Sequence, residues 1–98
     1  MDKELEEKLN VIRDAVQSAF PDAEIELVKG MSLSKLKIDR KGLPPCCLAF
    51  AWECLLNQNE DKILDELENV FSGLSNASEP MKILVTESRG KICLTRQI

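Results

Sequence analysis

The most reactive side chains in the sequence are four cysteines, Cys46, Cys47, Cys54 and Cys93. A nucleophilic thiolate needs its pKa lowered by a histidine or another cation. The chain has no histidine, which removes the commonest general base, the usual serine and cysteine triads, and imidazole metal ligands. Cys93 lies near Lys91, but a small residue in a strand is its simpler role. A zinc site of cysteines alone takes two closely spaced pairs; here Cys46 and Cys47 are adjacent, Cys54 and Cys93 stand apart, and there is no CxxC. Paired acids occur only as helix-surface runs such as Asp65, Glu66 and Glu68, where solvated carboxylates are the rule. The glycines are scattered singly, so P-loop, dinucleotide and EF-hand signatures are missing. The expectation is a chain that is not an enzyme and takes no metal, cofactor or small-molecule substrate.

The second chemistry the residues could support is anion binding. Lys35, Lys37, Lys82, Lys91 and Arg96 fall in strand-like segments and could line one open sheet face as a nucleic-acid surface. Against this, the net charge is −4 and the aromatic residues are only Phe20, Phe50, Phe71 and Trp52, too few for a stacking platform. Charge is also segregated. Residues 2–14 and 53–68 are acidic and follow helical patterns, while 29–42 and 81–98 are basic and follow strand patterns.

These side chains must be positioned by a small fold. The length of 98 residues fits one α+β domain over 1–98, and the 44% hydrophobic and 31% charged fractions are ordinary for a globular chain. The charged N-terminal stretch has no apolar core like that of a signal peptide, and no apolar run approaches a membrane span. The expected location is cytoplasmic, with the cysteines as free thiols.

Leu5, Leu9, Ile12, Val16 and Phe20 mark an amphipathic helix over 3–20, with Asp2 as its cap and Pro21 as its stop. Residues 23–29 and 32–38 alternate as a hairpin. Gly30-Met31 reads as a type II′ turn, which pairs Ile25 with Leu36, Glu26 with Lys35 and Glu24 with Lys37. Residues 46–56 read as a strand in which Leu48, Phe50 and Trp52 face the core, paired as Ile38–Leu48 and Leu36–Phe50; a helix led in by Pro44-Pro45 is the alternative. Ile63, Leu67, Val70 and Leu74 mark a helix over 60–74, capped by Asn59 or Asn57. A second hairpin, 81–87 and 91–98, turns through Ser88-Arg89-Gly90 in a register that the pattern leaves open. The doubly apolar run Ile83-Leu84-Val85 hints at a central strand.

The expected fold is therefore a two-layer α+β sandwich of antiparallel hairpins in the order α-β-β-β-α-β-β, or α-β-β-α-α-β-β if 46–56 is helical. In that order of elements alone, with no residue motif behind it, this small acidic chain is similar to type III secretion chaperones, which lack catalytic groups and act as dimers. The sheet face turned away from the helices would carry Val28, Leu33, Cys47, Ala49 and Ala51, joined by Leu84 or Val85. Such an apolar face calls for cover, either from a helix crossing over or from a partner. The leading expectation is a non-catalytic protein-interaction module of adaptor, chaperone or inhibitor type that binds another protein or a second copy of itself through Val28, Leu33, Ala49, Ala51 and Leu84. The alternative is a nucleic-acid-binding regulator using Lys35, Lys37, Lys82, Lys91 and Arg96.

Overall fold

The computed structural model describes residues 3–97, so the proposed Asp2 cap lies outside the described residues. Its elements run α1 (Lys3–Ala19), β1 (Glu24–Lys29), β2 (Leu33–Asp39), β3 (Cys46–Ala51), α2 (Trp52–Asn57), α3 (Glu60–Ser75), β4 (Met81–Ser88) and β5 (Lys91–Gln97). The strands form one five-stranded sheet in the order β1-β2-β3-β4-β5. Neighbours are antiparallel except β3 and β4, which pair in parallel. That parallel step follows from the connection. The α2–α3 segment carries the chain back along the sheet, as a parallel pair requires, whereas turns or short loops join the antiparallel pairs.

The two long helices form where the sequence places them. Leu5, Leu9, Ile12 and Val16 are the buried residues of α1, and Ile63, Leu67, Val70 and Leu74 those of α3. Asn59 caps α3, its Oδ1 accepting from the Asp61 N–H at 2.8 Å. These stripes merge with Ile25, Leu36, Ile38, Leu48, Phe50, Ile83 and Val85 of the sheet into one buried cluster, which Cys54 and Leu55 of α2 also join. The helices therefore share one face of the sheet, and no described helix crosses to cover the other. Lys8 of α1 ties the layer together: its Nζ donates to the carbonyls of Leu55 at 2.6 Å and Gln58 at 3.1 Å, meeting the free carbonyls at the end of α2.

Residues 46–56 are both of the alternatives. Strand β3 carries Leu48 and Phe50 into the core, and the chain turns into α2 at Trp52 instead of extending to it. Trp52 is half-buried rather than fully in the core, and its Nε1 donates to Ser34 Oγ at 2.9 Å. That bond satisfies a serine hydroxyl that is wholly buried on the helix side of β2.

The hairpin registers differ from the expected ones by two residues. Glu24 stands opposite Asp39, Glu26 opposite Lys37, Leu27 opposite Leu36 and Val28 opposite Lys35. The Glu24–Lys37 and Glu26–Lys35 ladder is thus not formed. The turn is Met31-Ser32, closed by the Gly30 N–H donating to the Leu33 carbonyl at 2.8 Å. Gly30 is not among the left-handed glycines, so the type II′ reading fails. What Gly30 provides is room, since a Cβ there would lie 2.7 Å from the Leu33 carbonyl oxygen. Likewise Leu36 pairs with Leu48 and Ile38 with Cys46, in place of Phe50 and Leu48. A two-residue slide leaves every side chain on its own face, so alternation alone cannot distinguish the two registers. In the last hairpin Ser88 faces Lys91 across Arg89-Gly90, and both turn residues have positive φ, the backbone of a type I′ turn.

Candidate interaction face

Side chains alternate along a strand, so the pairing defines what the uncovered face displays. One cross-strand row runs Glu26, Lys37, Cys47, Lys82, Gln97. The next runs Val28, Lys35, Ala49, Leu84, Thr95. Beyond it lie Leu33 opposite Ala51, and Thr86 opposite Cys93. The face therefore divides into a charged end and a mostly apolar half.

All five residues expected at a partner surface, Val28, Leu33, Ala49, Ala51 and Leu84, fall on this face, with Leu84 rather than Val85 supplied by the second hairpin. Val85 is fully buried beneath the helices. Val28, Leu33, Ala51 and Leu84 are half-buried, whereas Ala49 is only 1% exposed and forms the floor between its neighbours. Met31, singled out in the sequence only as a turn residue, is 95% exposed at the tip of the first hairpin. It borders a shallow cleft with Val28, Leu33 and Lys35, which extends the apolar half outward.

The basic residues separate. Lys35, Lys37, Lys82 and Lys91 are on the open face, with Lys91 at the far end opposite Ser88. Arg96 pairs with Ile83 and so belongs to the helix side, which corrects its expected place on the open face. It nevertheless reaches the same end of the sheet as Lys37 and Lys82. There the ends of β2 and β5 and the starts of β3 and β4 enclose a groove of about 780 Å³. Lys35, Lys37, Lys82 and Arg96 supply its cations, and Asp39 and Glu79 its anions. Ile38, Pro45, Cys46, Cys47, Pro80 and Met81 give it an apolar lining. Among the described residues none of the four cations is in a salt bridge. This groove was not legible in the sequence, because it depends on the parallel β3–β4 contact bringing Cys47 beside Lys82.

The cysteines do not assemble a metal site: among the described residues no cluster of three or more cysteine or acidic side chains could hold an ion. Cys46 and Cys54 are buried free thiols, while Cys47 and Cys93 are partly exposed. Burial, reinforced by the charge of Glu87 and by Cys93, pushes the Cys54 thiol up to about 11 against a weaker opposing pull from Lys8. That is the direction of an inert structural thiol, not of a nucleophile. No described helix is long and apolar enough to cross a membrane.

No protein-family model, curated protein or solved structure matches the chain. The likeness in element order to type III secretion chaperones therefore adds nothing to the assignment of function.

Proposed function

We propose that this chain is a non-catalytic protein-interaction module that associates through the open face of its sheet, with a second copy of itself as the first occupant. One observation carries the reading: all the described helices lie on one side, and the bare side displays a row that includes Val28, Ala49 and Leu84, where a solvated sheet face is ordinarily polar. The middle of that row is alanine, so two sheets can approach closely, and a patch of this kind can be self-complementary about a two-fold axis. Light scattering on the purified chain tests it. A dimer mass that falls to a monomer mass in Leu84→Glu supports the reading, and a wild-type monomer at high micromolar concentration removes the homodimer.

A second reading, nucleic-acid binding, is favoured by one observation. Lys35, Lys37, Lys82 and Arg96 meet in one groove without salt-bridge partners among the described residues. Salt-sensitive retention on immobilised DNA or RNA tests it.

A further inference from the structure

We propose that the groove at the charged end of the sheet binds an extended acidic segment of a partner protein, one that alternates carboxylates with apolar side chains. This rests on the interaction-module reading and names the chemistry of a partner for that module.

The first argument is charge. The chain as a whole is negative, at −4, yet four cations against two anions converge on this groove. None of the four is in a salt bridge among the described residues. Glu26, the acid beside Lys37 across the strands, lies outside the groove lining. Cations collected in a concave site focus their field outward and favour a ligand of opposite sign.

The second argument is the floor. Cys47 lies between Lys37 and Lys82 across the strands, Pro45 and Pro80 also line the groove, and no aromatic side chain does. A nucleic acid would find phosphate partners there but nothing to stack its bases on. A short extended peptide needs no stacking surface. Its side chains alternate with a period of two, so carboxylates can reach the rim lysines while apolar side chains turn to the floor.

The third argument is location. The groove lies at the end of the face away from Met31, and although Lys35 borders both it and the cleft beside Met31, a peptide there leaves Leu33 and Ala51 free.

The test is fluorescence anisotropy with a short labelled peptide alternating glutamate and leucine. The controls are a glutamine-for-glutamate peptide and a labelled single-stranded oligonucleotide. The acidic peptide is expected to bind, to weaken as salt is raised, and to lose about tenfold in affinity in Lys37→Glu/Lys82→Glu. Both lysines are exposed, and circular dichroism checks that the double variant folds. Arg96→Gln approaches the groove from the helix side, and is expected to weaken the peptide while leaving the dimer mass unchanged. Equal binding of the glutamine peptide, or full affinity in both variants, overturns the proposal. So does tighter binding of the oligonucleotide that is lost in the same variants. A dimer that binds no acidic peptide overturns the groove and leaves the sheet-face reading standing; a monomer that binds it does the reverse.

Discussion

At the scale of single residues, the structure replaces one expected role with different physics. Gly30 remains a glycine position, but through contact rather than through a left-handed backbone. A Cβ at 2.7 Å from the Leu33 carbonyl oxygen meets main chain, which has little room to yield. Gly30→Val is expected to cost about 1 kcal/mol or more through that overlap, seen as a lowered Tm. An unchanged Tm would mean that the turn opens freely. Cys54 is the residue whose ionisation couples to folding. Its thiol moves from an ordinary 9.0 up to about 11, chiefly through burial. The folded state disfavours the thiolate, so the stabilising contribution is whole below about pH 9. It is lost as pH rises through the folded value near 11. Chemical denaturation from pH 8 to 11 is expected to show wild type losing stability that Cys54→Ala, offset by its own constant cavity cost, does not lose. Parallel curves would show that Cys54 does not titrate differently in the two states.

At the scale of elements, the helices follow the sequence closely and the strand pairing does not. Leu67 is fully buried in α3 within the cluster shared with the sheet. Leu67→Ala is expected to cost about 2–5 kcal/mol, a large part of the stability of so small a domain. A denaturation midpoint close to wild type would show that the site collapses around the loss. The strands illustrate the limit of pattern reading. Charge complementarity favours Glu24 beside Lys37, yet Glu24 stands opposite Asp39. Exposed cross-strand charge pairs are worth only tenths of a kcal/mol, whereas seating Leu27 against Leu36 and Leu36 against Leu48 draws on burial worth several times more. The same balance ends β3 at Ala51. Helix α2 brings Cys54 and Leu55 into the core, which an extended strand could not do for both.

At the scale of the whole molecule, association is the property most open to test. In Ala49→Glu the new carboxylate would sit directly opposite Lys35, where an ion pair could offset it. Leu84 has Ala49 and Thr95 opposite it, so Leu84→Glu meets no cation directly across the strands, and the nearest, Lys82, is one row away. Burying that unpaired charge in an interface costs several kcal/mol, enough to dissociate a modest dimer, and the expected result is a folded monomer by light scattering. A dimer that survives the substitution would move the contact away from this face. The sequence by itself determined the two long helices, the faces of the first three strands, the core stripes and the apolar character of the bare face. These are periodic properties, written as 3.6- and 2-residue repeats in local order. Only the tertiary structure decided the registers, the parallel β3–β4 pair, the side of the sheet on which Arg96 lies, and hence the groove. Each of these depends on residues far apart in the chain. Registers two apart are locally equivalent, and the packing of the helix layer against one of them breaks the tie.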